Sequence, residues 1–170
     1  MVRLVVLLLV VALAGCMRPP RPIAGTFPAL TVADAQQQPH TGERVRWGGS
    51  IVATTPNDDG TTCVEVVSKP LDAQARPRRT DDTFGRFYAC ATGFYDPSIW
   101  AADREMTAIG SLEGTRQGKV GDYEYAFPLV RADGVYLWPE RRPMDQQVIY
   151  SPWIGWGPYW GPYWGVGGWY

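Results

Sequence analysis

The chain has 170 residues, a formal net charge of -1, 45% hydrophobic and 19% charged residues. That length fits one domain with a packed core, and the near-neutral balance excludes a nucleic-acid binder working by bulk basicity. The one histidine, His40, argues against a His-rich metal site and a conventional His-based hydrolase.

The N-terminus carries the strongest signal. Arg3 supplies a positive charge, and Leu4 to Leu13 is an unbroken apolar run. A membrane-spanning helix needs about 17–25 such residues. Ten suit the core of an export signal. The run ends in Leu13-Ala14-Gly15-Cys16, the pattern of a bacterial lipobox. Small residues let a peptidase reach the backbone, and the Cys16 thiol accepts diacylglycerol before the freed amine is acylated. Residues 1–15 are therefore read as a lipoprotein signal peptide. Met17 follows the cysteine, where an Asp would favour inner-membrane retention, so the expected address is the outer membrane. The expected partner is the outer-membrane bilayer, reached through acylated Cys16, and three acyl chains exceed what stable anchoring needs.

Residues 16–30 form a lipidated, proline-rich tether (RPPRPIAGTFP from Arg18), expected to be an extended spacer. Residues 31–150 are read as a β domain. Thr31 to Gln38 suits a short helix capped by Thr31 and ended by Pro39. Arg44 to Thr54 is strand-like: Val45, Trp47 and Ile51 share a face, Val52 breaks parity, and Gly48-Gly49 predicts a bulge or bend. A turn at Asn57–Gly60 leads into a second strand, Thr61 to Ser68, completing a hairpin. A polar loop runs from Lys69 to about Asp82, and Arg86 to Thr92 is a third strand. Asp96-Pro97 is a helix-start pair, predicting helix to about Ala102. Glu105 to Leu112 and Gly121 to Val130 are the fourth and fifth strands, with Gly118 and Gly121 flanking a loop. Pro128 puts part of the fifth strand on an edge. Asp133-Gly134 predicts a turn into Val135–Trp138. Three strands, a short helical piece and two strands suggest a small, mainly β, OB-like five-stranded Greek-key barrel with one or two short helices. Another small antiparallel sandwich or open sheet is the alternative.

Residues 151–170, SPWIGWGPYWGPYWGVGGWY, are a low-complexity tail rich in Gly, Pro, Trp and Tyr and free of charge. Frequent Pro and Gly exclude a spanning helix. Three readings stay open: a flexible tail, an interfacial segment at the headgroups, and a docking segment for an envelope protein or glycan. In the last two, Trp153, Trp156, Trp160, Trp164 and Trp169 carry the contact.

With Cys16 assigned to lipid, Cys63 and Cys90 remain in an oxidising compartment. Antiparallel pairing with Cys63 opposite Cys90 sets Val64 against Ala89 and Val66 against Phe87, a consistent apolar set. The pair is thus a candidate structural disulfide. Other even shifts of register satisfy the same parity and leave free thiols. Without CxxC no redox site is read.

The series Val45-Arg46-Trp47-Gly48-Gly49, Pro70-Leu71-Asp72, Arg76-Pro77, Gly85-Arg86-Phe87, Gly93-Phe94-Tyr95-Asp96-Pro97 and Gly118-Lys119-Val120-Gly121 resembles the Slp family of Gram-negative outer-membrane lipoproteins over roughly 28–150. The resemblance implies an outer-membrane lipoprotein of a family with starvation- or stationary-phase-inducible members. It carries over no catalytic residue. These motifs read mainly as scaffold, with Arg86 suited to pair with a carboxylate such as Glu65.

No P-loop, GxGxxG, GxSxG or HExxH occurs. His40 reads as a solvated loop residue, and Asp58-Asp59 and Asp81-Asp82 as turn residues. Arg76, Arg78, Arg79 and Arg141-Arg142 are local basic spots suited to solvent or to envelope phosphates. The expectation is a non-enzymatic outer-membrane lipoprotein, lipid-anchored and facing the periplasm, with an envelope-structural or stress-related role. It has no catalytic residue, metal, cofactor or nucleic-acid partner. The alternative is a ligand-binding module for an envelope glycan or phosphorylated envelope component.

Overall fold

A computed structural model describes residues 18–141. The signal peptide, Cys16 and the aromatic tail with its five tryptophans lie outside the described residues. Five strands make up the fold: β1 (Arg44–Pro56), β2 (Thr61–Ser68), β3 (Arg86–Thr92), β4 (Glu105–Val120) and β5 (Tyr123–Leu137). They close in the order β1-β2-β3-β5-β4. All pairings are antiparallel except β3 with β5. This is the OB-like Greek-key barrel expected from the strand order.

Alternation builds the interior. Thr62, Val64, Val66 and Ser68 of β2 are buried, with half-buried residues between them. In β3, Phe87, Ala89 and Ala91 are buried. Trp47 and Phe87 meet edge to face at 5.3 Å in this core. Burying a side chain such as Phe87 contributes about 1.5–3 kcal/mol. One helix, α1 (Val32–Gln37), places Val32 and Ala35 in the same core. Its Thr31 cap accepts from the Asp34 N–H, while Asp34 accepts from the Thr31 N–H. Two donors of the first turn are thereby satisfied.

The bulge in β1 lies at Val52, where the register against β2 shifts, rather than at the glycine pair. Gly48 and Gly49 serve close approach instead. A Cβ on Gly49 would collide with the Val67 carbonyl, and one on Gly48 would stand 2.6 Å from the Met106 carbonyl oxygen. Asp133 is likewise no turn residue. β5 runs unbroken, and Ile109 pairs with Gly134 while Gly110 pairs with Ala132, leaving Asp133 as an extra residue. Glu113 is the corresponding extra residue in β4. A bulge re-aims its side chain: Asp133 takes a two-pronged bond from Arg44 at 2.6 and 3.1 Å, and Glu113 stands 3.4 Å from Arg131.

Two further expectations change. Residues 113–120 continue β4, and a two-residue turn, Gly121-Asp122, joins Val120 to its partner Tyr123. Gly121, at φ +60°, supplies the left-handed backbone such a hairpin turn requires. Pro128 pairs only toward β4, because the β3–β5 ladder begins at Leu129. After β3, Asp96 starts a turn but no helix forms over 96–102. Its carboxylate accepts from the Ser98 N–H at 2.8 Å, and its carbonyl accepts from Ile99 and Trp100. Trp100 then leaves the turn to stack on Tyr95 at 4.9 Å. So short a segment does not nucleate a helix when tertiary contacts pull it away.

Candidate functional surface

The tether is not free along its whole length. Pro20–Ala24 makes a tight 3-10 turn, and Ile23 is completely buried. Its apolar side chain joins Ala75, Ile109 and Trp138 in a second cluster, with Phe27 and Leu71 packed against it. Ala108 belongs to the barrel interior and Ile109 to this cluster, so the cluster covers the opposite face of β4. Arg46 donates to the carbonyls of Ile23 and Gly25 at 3.3 and 3.1 Å and lies over the Phe27 ring. Burial pushes its guanidinium pKa below the usual value.

The Lys69–Asp82 stretch is likewise more than a polar loop. Asp72 accepts through Oδ1 from the N–H groups of Gln74 and Arg76, both at 2.9 Å. Leu71 bridges to Pro77. Ala75, held at φ +65°, is fully buried. Arg76 forms an ion pair with Glu105 at 2.7 Å, donates to the Pro139 carbonyl and lies over the Trp138 ring. It is therefore not a free basic spot. The Pro70-Leu71-Asp72 and Arg76-Pro77 motifs build one folded turn on the barrel wall.

Cys63 and Cys90 stand opposite each other in the β2–β3 ladder and are bonded. They share the outward-facing parity with Glu65, Arg86 and Tyr88. Arg86 pairs with Glu65 at 2.7 Å, and the Tyr88 hydroxyl donates to the same carboxylate at 3.4 Å. Arg116, reaching across from β4, lies over the Tyr88 ring. Burial, with Glu65 as the next cause, raises the Tyr88 pKa. Tyr125 accepts from the Arg86 N–H at 2.8 Å and packs on Phe127. The long β4–β5 hairpin thus fastens onto the outer face of β3.

A cavity of about 610 Å³ opens where Pro22, Arg44, Tyr95, Ser111, Arg131 and Asp133 meet. Its two arginines already face carboxylates, Arg44 with Asp133 and Arg131 with Glu113. The acidic pairs are occupied in turn geometry: Asp59 accepts from the Thr61 N–H and hydroxyl, and Asp82 from the Thr80 hydroxyl. His40 lies 3.0 Å from Glu43. Among the described residues, no three His, Cys, Asp or Glu side chains gather as a metal site. No helix among them is long and apolar enough to cross a membrane.

Sequence reasoning missed the Ile23 contact, the Asp72 turn and the two bulges. Asp72 two and four residues before its N–H partners was a readable turn signal. Ile23 stood out only as an isolated apolar residue among prolines.

A structural likeness to a small single-stranded DNA-binding protein from Streptomyces coelicolor has a TM-score of 0.36 at 12% identity, covering 56% of this chain and 94% of that one. An uncharacterized lipoprotein, YeaY, from Escherichia coli K12 is 33% identical over 93% of this chain and 83% of its own. The outer membrane protein Slp of the same organism is 27% identical over 86% of this chain and 79% of its own. The sequence model of the outer membrane lipoprotein Slp family matches residues 13–165. The chain belongs to the outer membrane lipoprotein Slp family, and its place is the outer membrane.

Proposed function

We propose that the protein is a non-enzymatic, lipid-anchored envelope module, held through acylated Cys16 with its barrel facing the periplasm, and that its role is structural or stress-related. The observation that carries this reading is how the polar groups are engaged. Glu65, Glu105 and Asp133 neutralise arginines, while Asp34, Asp59 and Asp96 hold backbone turns. These contacts fix carboxylates that a hydrolytic mechanism would need free for proton transfer. Membrane fractionation of wild type and Cys16→Ser tests the anchor. The variant is expected to leave the outer-membrane fraction, and its retention there would refute the reading.

The cavity at Pro22, Arg44, Tyr95 and Arg131 favours a second reading. A ring-stacking tyrosine beside arginines suits an envelope glycan or a phosphorylated envelope component. Retention of the full chain on peptidoglycan or lipopolysaccharide, lost in Tyr95→Ala, would support it. Unchanged retention in that variant would place any binding elsewhere.

A further inference from the structure

Tyr95 and Trp100 stack edge to face at 4.9 Å and pack against the barrel core. That contact draws the two ends of the Gly93–Trp100 turn together. The residues just before each ring are turned the other way: Phe94 is 72% exposed and Ile99 56%. The loop is firmly held. Gly93 donates to the Gly60 carbonyl, Tyr95 donates through its N–H to the Thr62 hydroxyl, and the Thr54 hydroxyl donates to the Trp100 carbonyl at 2.7 Å. Two large apolar side chains are thus displayed at one rim of the barrel, on a loop tied down by these bonds.

The route of the anchor gives this rim an occupant. Pro22 and Tyr95 line the same cavity, and Ile23 is pinned to the barrel. Pro22 stands six positions after Cys16, and even a fully extended chain over those six steps reaches only about 22 Å. A lipid on Cys16 therefore keeps this side of the barrel close to the bilayer. We infer that Phe94 and Ile99 form a second membrane contact, an apolar rim that enters the interfacial region of the leaflet holding the anchor. The inference rests on the reading of Cys16 as the acylated residue. The contact is apolar in kind. The neighbouring hairpin turn carries Asp58 and Asp59, the loop itself carries Asp96, and Asp103 follows it, so the rim residues offer anionic headgroups no positive charge of their own. The partner is the hydrocarbon boundary of the lipid, and the effect is to orient the barrel.

The test uses the full lipidated chain reconstituted into vesicles of phosphatidylethanolamine and phosphatidylglycerol. With Cys16 acylated and Cys63 bonded to Cys90, an introduced cysteine is the one free thiol for an environment-sensitive fluorophore. Phe94→Cys and Ile99→Cys carry the label on the rim. Asp122→Cys carries it at the β4–β5 turn, beside the opposite end of β3. The rim labels are expected to shift to the blue and to be quenched several-fold more by spin-labelled lipid than the Asp122→Cys label. They should lie about 5–10 Å into the headgroup boundary, as interfacial segments do. Raised salt leaves that quenching unchanged, and its loss in salt would overturn the apolar contact. Rim labels as open to aqueous iodide as the Asp122→Cys label, on chains that float with the vesicles, would overturn the rim contact alone. A Cys16→Ser chain that still floats with the vesicles would overturn the anchor reading, and the inference with it.

Discussion

The Trp138 indole N–H donates to the Thr107 hydroxyl at 3.0 Å, and that hydroxyl donates in turn to the Ala75 carbonyl at 2.7 Å. All three residues are buried, so the relay fastens the Asp72 turn and the end of β5 to the barrel wall. Replacing Thr107 by valine keeps the shape and strands both partners. Each orphaned group costs about 1–3 kcal/mol, so Thr107→Val should lose about 3 kcal/mol in urea unfolding. A loss below the scatter of surface variants would show that the relay contributes nothing.

Gly49 faces the Val67 carbonyl so closely that no side chain fits between them. Gly49→Ala must push β1 from β2 against an inextensible backbone. We expect a cost of about 3 kcal/mol, the upper end for overpacking, read as a lower thermal midpoint. An unchanged midpoint would mean that the hairpin opens freely there.

The Cys63–Cys90 bond spans a sequence separation of 27. Constraint of the unfolded chain by such a loop is worth about 3.5 kcal/mol. The Cys63→Ala, Cys90→Ala double variant should fall by that amount in denaturant. Its far-ultraviolet spectrum should stay unchanged, because the ladder from Thr61 to Val67 continues on both sides. A changed spectrum would show that the bond holds the ladder itself.

Asp34, Asp59 and Asp96 all have carboxyls below the usual aspartate value. The first cause in each is a side-chain hydrogen bond, from Thr31, Thr61 and Ser98, followed by a backbone N–H of the same residue. A carboxyl lowered on folding adds stability that is complete above its unfolded pKa, about 3.9. That stability is lost as pH falls through the folded value. Stability should therefore decline below about pH 4, and less steeply in Asp34→Asn. Carboxyl carbon shifts followed by NMR check this: these three should titrate below the free aspartate value, about 3.9.

Ile23→Ala should cost about 3 kcal/mol, as expected for truncating a fully buried aliphatic residue. It should also open the Arg18–Pro28 stretch to proteases. Equal cleavage in wild type and variant would return the whole stretch to the status of a loose spacer.

The sequence was legible where one face of an element is buried. Val64, Val66, Phe87 and Ala89 alternate cleanly, so β2 and β3 followed from parity, which allowed the Cys63–Cys90 register among other even shifts, and the structure selects it. The Thr31 cap was equally readable because capping is local. The second half of β4 was not. Glu113–Val120 is mostly exposed, so it carries no hydrophobic period, and its pairing is dictated by the Gly121-Asp122 turn. Asp133 and Glu113 escaped for a related reason. A bulge is a mismatch between two strands, and neither strand alone records it. Ile23 and Ala75 become core residues only through the packing of distant segments.

Barrel closure sets the timing of folding. The first half of β1 pairs with β4, about sixty residues later in the chain, and β3 pairs with β5 about forty residues later. A chain delivered from its N-terminus has only the β1–β2–β3 meander to assemble until those late strands arrive. Such distant partners make for slow assembly, and the interim sheet presents open edges that invite aggregation. The arrival of β4 and β5 pairs both of those edges, β1 with β4 and β3 with β5.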